Sequence, residues 1–114
     1  MRNTYFAADF LVHPTFYDPC SLVVLEALAC GLPVITTAAN GASELLSPPR
    51  EGYVVADPHD HEQLADCLAE LLDPQLRHDC AVAVRKTAAG WTFEQHYQAL
   101  LAVFQEAARR KHAA

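Results

Sequence analysis

Asp18 and Glu26 stand eight positions apart, and the second of them interrupts a run, "SLVVLEALACG", whose other residues are apolar or small. On a helix, the neighbours of Glu26 at i−4, i−3, i+3 and i+4 are Leu22, Val23, Ala29 and Cys30, and no Lys or Arg lies within helical reach. An ionised carboxylate on such a face is costly unless something hydrogen-bonds it. Either Glu26 lies at the helix edge and reaches water, or it accepts hydrogen bonds from a polar ligand such as ribose hydroxyls. Asp18 is open in the same way, because an Asp before Pro19 is also a common turn residue. His13, beside apolar residues and before Pro14, reads as a structural histidine.

These acids need a scaffold, and the chain supplies an alternation of strands and helices. "AADFLVHP" gives a short strand, Phe10 to His13, stopped by Pro14. "SLVVLEALACG" has the length of a helix, with Ser21 as N-cap and Gly31 as the residue past its end. "LPVITT" lacks polar alternation and reads as a strand covered on both faces. "NGASELL" turns into a short helix, and Tyr53 to Ala56 forms a third strand opened by Gly52. The alternation predicts an α/β fold: a partial Rossmann-like three-layer arrangement with a short parallel sheet of about three strands.

The second half is helical. Asp60 with Gln63 has capping-box spacing before an apolar stripe of Leu64, Cys67, Leu68, Leu71 and Leu72, which predicts a helix over 61–72. Asp73-Pro74 starts another that runs to about Lys86. Thr92 and Gln95 repeat the capping box, and Phe93, Tyr97, Leu100, Leu101, Phe104 and Ala108 line one face of a final helix. In such a fold ligands bind outside the carboxyl ends of the strands, here in the loops "HPTFYDPCS" and "TTAANGAS", where helix N-termini can receive phosphate.

Composition narrows the function classes. The net charge is −6 and the one basic cluster is Arg109-Arg110-Lys111, which complements a helix C-terminus, so nucleic acid is not an expected partner. No apolar run reaches the ~20 residues that span a bilayer, and the N-terminus lacks secretion-signal character, so a cytoplasmic location is expected. The four cysteines, Cys20, Cys30, Cys67 and Cys80, have no metal-site spacing and read as reduced core residues, with no metal or cofactor expected. Hydrolase, P-loop and dinucleotide motifs are absent from the sequence.

From Val12 to Leu46 the chain resembles the donor-binding region of retaining glycosyltransferases of the two-Rossmann-domain type, known as group 1 or family 4. The resemblance rests on Asp18, Glu26 and the following "EALACGLPVITTAANGASELL". It implies that Glu26 binds the ribose of a UDP-, ADP- or GDP-sugar and that Asp18 serves the transferring centre. It also implies that Cys20, Ser21 and Leu22 present backbone N–H groups to sugar and diphosphate. Asn40 and Gly41 stand where the family often has Gly-Gly, and Glu44 matches a common acid. Asp-Pro-Cys-Ser replaces the family's Glu-Gly-Phe-Gly, so the first acid is shorter and Pro19 removes a backbone donor.

The resemblance further implies that residues 1–114 correspond to the C-terminal part of the nucleotide-sugar-binding Rossmann domain. The acceptor domain and the basic diphosphate clamp have no counterpart in the chain. The lipopolysaccharide-core and surface-polysaccharide enzymes show similar loops, and the whole enzyme is expected to associate peripherally with membranes. The chain alone is expected to be inactive. The alternative is a non-catalytic α/β module that forms a homo-oligomer or strand-exchanged dimer through its exposed sheet edge.

Overall fold

The computed structural model describes residues 2–113. Helix α1 (Arg2–Ala7) leads into strand β1 (Leu11–His13), helix α2 (Leu22–Ala29) and strand β2 (Val34–Thr37). A 3₁₀ turn over Gly41–Leu45 precedes strand β3 (Gly52–Val55), and helices α3 (His61–Glu70), α4 (Pro74–Ala88) and α5 (Phe93–Ala113) complete the chain. The sheet is parallel, in the order β1-β2-β3.

β2 is central and all four of its residues are buried, which is why its sequence shows no polar alternation. Successive side chains still point to opposite faces. Val34 packs with Val24, Ala27 and Leu28 of α2 in one core, while Ile35 packs with Val55, Cys67 and Leu71 in the other. α4 serves both, with Val84 in the first core and Cys80 in the second. The expected three-layer α/β architecture is therefore present, with α2 and α3 on opposite faces of the sheet.

Most of the punctuation works as the sequence predicts. Gly31, at φ +83°, follows α2, and the amides of Gly31 and Leu32 donate to the carbonyls of Leu28 and Ala27, satisfying two open carbonyls of the helix end. Asp73 caps α4 through Gln75 N at 2.9 Å, with Pro74 in its first turn. The Thr92–Gln95 box closes in both directions. The Asp60–Gln63 box closes in one direction only: Asp60 accepts from Gln63 N, but the Gln63 amide oxygen accepts from Ala56 N at the end of β3.

One expectation needs correction, that all four cysteines are core residues, and two features are not foreseen in the sequence. Helix α1 has no sequence signature, and it is held by long-range packing of the buried Tyr5. Cys20 is exposed and Cys30 half-buried, so only Cys67 and Cys80 of the four free thiols are core residues; burial raises the pKa of both. The apolar face of α5 is uncovered: none of its residues is buried, and Phe93 is 95% exposed. α5 is 21 residues long, and the molecule measures 55 × 29 × 23 Å. Between α2, the 3₁₀ turn and the α4–α5 junction runs an apolar groove of about 570 Å³ that includes Leu25, Leu45 and Trp91.

Candidate functional site

At the carboxyl ends of β1 and β2 two loops are hydrogen-bonded into one unit. Asp18 N donates to Ala39 O at 3.1 Å and Gly41 N to Asp18 O at 2.9 Å, a single parallel bridge between loops 22 residues apart in sequence. Gly41 is required by proximity: a Cβ there would lie 1.8 Å from the carbonyl oxygen of Pro19.

Asn40 is the hub. It is completely buried, and its Oδ1 accepts from Ser21 N at 3.2 Å and from Ala42 N at 3.0 Å. Its Nδ2 donates to Thr36 Oγ1, whose hydroxyl in turn donates to His13 O. The side chain expected to meet ligand is thus committed to protein groups. Asn40 positions the N-terminus of α2 rather than presenting its amide to the crevice.

Ser21 departs from expectation in a related way. It occupies the N-cap position without a side-chain cap. Its Oγ instead lies 3.1 Å from His13 Nε2, and its amide is taken by Asn40, so it is not free for phosphate. The exposed Leu22 begins the helix, whose early amides carry the positive end of the dipole. His13 is more than a satisfied core histidine. Its Nε2 is also 3.9 Å from Asp18 Oδ2, and both side chains are 29% exposed. Asp18 Oδ1 accepts from Cys20 N at 3.1 Å, the local turn that an Asp-Pro sequence favours.

Glu26 lies outside this cluster, about 7 Å along the helix from Ser21 at 1.5 Å per residue. It is exposed, and so are Leu22 and Ala29 on the same face; the buried face of α2 is the one carrying Val24, Ala27 and Leu28. Its Oε2 accepts a 2.8 Å hydrogen bond from the Tyr5 hydroxyl. That bond is the main reason the phenol pKa is raised. The carboxylate is therefore oriented by α1, a contact across 21 positions that no sequence pattern signals.

A third loop reaches the same end of the sheet. Thr37 Oγ1 donates to Thr15 O at 2.6 Å, and Phe16 stacks obliquely on His59, with ring centroids 5.0 Å apart. Residues 14–17 thus cross from β1 over the end of β2 to the loop after β3. His59 is fixed by Asp57 Oδ1, which accepts from its backbone N and contacts its Nδ1 at 3.0 Å; these bonds lower the Asp57 pKa. Among the described residues, no three His, Cys, Asp or Glu side chains are grouped to hold a metal ion.

Residues 1–74 match the family described as glycosyl transferases group 1. The chain belongs to that family. Family relatives include the lipopolysaccharide glucosyltransferase WaaG of Escherichia coli, 41% identical over 66 residues, covering 58% of this chain and 18% of the relative. A D-inositol 3-phosphate glycosyltransferase of Saccharomonospora viridis is 34% identical over 106 residues, covering 92% of the chain and 24% of the relative. The sucrose-phosphate synthase of Thermosynechococcus elongatus superposes with TM-score 0.76 at 28% identity, over 94% of the chain and 27% of that structure. The crystal structure of WaaG gives TM-score 0.72 at 36% identity, over 77% and 24%. The chain spans about a quarter or less of these proteins. Among the described residues, no helix is long and apolar enough to cross a membrane.

Proposed function

We propose that this chain forms the donor side of a retaining glycosyltransferase site that takes a sugar from a UDP-, ADP- or GDP-sugar to a glycan or lipid acceptor. The reading is supported most by one arrangement: Asp18, the N-terminus of α2 and the Asn40–Gly41 turn are hydrogen-bonded together at the carboxyl ends of parallel strands. That is where an α/β sheet binds nucleotides. Asp18 faces the transferring centre, and the early amides of α2 from Leu22 onward face the diphosphate, those of Cys20 and Ser21 being held by Asp18 and Asn40. Asn40 and Gly41 hold that helix end in place. Glu26 takes the ribose hydroxyls; a carboxylate has about four lone-pair positions, and Tyr5 uses one.

The cluster contains neither Lys nor Arg. Charge stabilisation of a leaving diphosphate needs more than helix amides and His13, so the chain alone binds donor without transferring sugar at an ordinary rate. Calorimetric titration with UDP, ADP and GDP tests the reading. One nucleotide binds, and Glu26→Ala weakens it by about thirtyfold, the loss of hydrogen bonds to a charged acceptor. Unchanged binding in the variant removes the role from Glu26.

A second reading, self-association, is favoured by one observation: Phe93, Tyr97, Leu100 and Phe104 of α5 are all exposed on one helix face. An apolar stripe of that extent in water favours a second copy or another partner. Light scattering that returns the mass of one chain at all concentrations removes this reading.

A further inference from the structure

A cavity of about 350 Å³ opens at the amino ends of β1 and β2, at the opposite end of the sheet from the donor loops. Its volume falls within the roughly 300–1,000 Å³ of small-molecule sites. One wall is α4, whose positions 77, 78, 81 and 85 share a face at helical spacing. Ala81 is the low point of that face, and Arg77, His78 and Arg85 stand about one turn to either side of it. The other walls are the turn after α2, around Gly31, and the segment from Tyr5 to Asp9. Asp9 is the one acidic residue in the lining, so two guanidinium groups and an imidazole meet a single carboxylate in a chain whose net charge is −6.

The basic groups are held in place without being neutralised. Arg77 Nη1 donates to Leu71 O and Leu72 O, both at 2.9 Å, which fixes its guanidinium and leaves the other nitrogens to face the cavity. Arg85 lies over Gly31: a Cβ there would be 3.1 Å from its Nε and 3.2 Å from its Cγ, so the glycine provides the room that the side chain takes. Among the described residues, none of the ion pairs involves Arg77, His78 or Arg85. Guanidinium donors fixed without a counter-ion suit phosphate, whose oxygens match their planar fork.

We propose that this cavity binds a phosphate group, either the free ion or the phosphate of a phosphorylated small molecule, over Ala81 and between Arg77, His78 and Arg85. Ala81 carries only a methyl group, so the anion approaches α4 closely. The lining has net positive charge, which a doubly charged phosphate uses more fully than a carboxylate does. Tyr5 and Phe6 offer apolar surface to the organic part of an ester. The site shares no residue with the donor loops and stands whether or not they bind a nucleotide-sugar.

The experiment is an amide NMR titration of the whole chain with inorganic phosphate and, separately, with glucose 6-phosphate. The Gly31 and Ala81 signals shift with a dissociation constant on the order of millimolar. Arg85→Gln, at an exposed position, keeps the fold and weakens binding about tenfold, the loss of a charge-assisted contact; His78→Gln gives a smaller loss. Arg109→Gln with Arg110→Gln removes two positive charges from the end of α5 and leaves the affinity unchanged. Tighter binding of glucose 6-phosphate than of phosphate identifies an ester as the ligand, and equal binding identifies the free ion. Unmoved Gly31 and Ala81 signals, or an equal loss in the α5 variant, overturn the proposal. Shifts confined to Leu22 and Val23 place the phosphate at the N-terminus of α2; that result supports the donor reading and overturns this one.

Discussion

The loops at the carboxyl end of the sheet are polar and closed, whereas α5 is apolar and open. Asn40, Thr36 and Ser21 are buried and mutually satisfied. Phe93, Tyr97 and Phe104 stand in water. Residue polarity alone would have ranked these regions the other way round. Burial is decided by whether a side chain finds a partner, and a hydrogen-bonded Asn with both ends occupied is as well placed in a core as a leucine.

Breaking the closed region has the largest expected effect. Asn40→Ala leaves the amides of Ser21 and Ala42 without their partner and removes the bond that the Thr36 hydroxyl accepts, at about 4 kcal/mol for the buried amides and a cavity. Urea unfolding of the variant measures it, and a loss under 1 kcal/mol would mean that water replaces the amide. Gly41→Ala comes next. Its methyl group meets the Pro19 carbonyl, so the two loops separate at a cost of about 3 kcal/mol. In that variant nucleotide binding falls together with stability.

The open region responds in the opposite way. Replacing Tyr97 and Phe104 by Ser changes the unfolding midpoint of the dilute chain little, about 0.5 kcal/mol or less, because no buried contact is lost. The same substitutions lower any concentration-dependent mass seen by sedimentation. A large destabilisation in the dilute chain would show that α5 is covered after all.

The smallest effect concerns Asp57. Its carboxyl titrates below the usual carboxylate range because it accepts hydrogen bonds from His59. A depressed folded pKa contributes stability that is present above the unfolded value and is lost as pH falls through the folded one. The Phe16–His59 contact therefore persists at neutral pH and loosens below about pH 4, seen as converging His59 ring shifts.

The sequence carried what depends on neighbours along the chain. β2 follows from an unbroken apolar run, the end of α2 from Gly31, and the start of α4 from Asp73-Pro74. What it did not carry depends on partners far away. Glu26 reads as an acid on an apolar helix that either reaches water at the edge or meets a ligand; the structure exposes it beside Leu22 and Ala29, and the bond from Tyr5 that orients it has no signal in the sequence. Ser21 reads as a cap, but His13 claims its hydroxyl and Asn40 its amide. The stripe on α5 is correctly periodic, and periodicity says that a face is apolar without saying what covers it.

Trp91 turns that open face into an optical instrument. It is the chain's one tryptophan, 39% exposed, and lines the groove between α2 and the start of α5. Any body that settles on this surface strips water from the indole, so its emission moves to the blue and its quenching by iodide falls. Tyr53 and the other phenols give little at that wavelength. The protein thus reports the covering of its apolar side in its own fluorescence, whether the cover is a second copy or another chain.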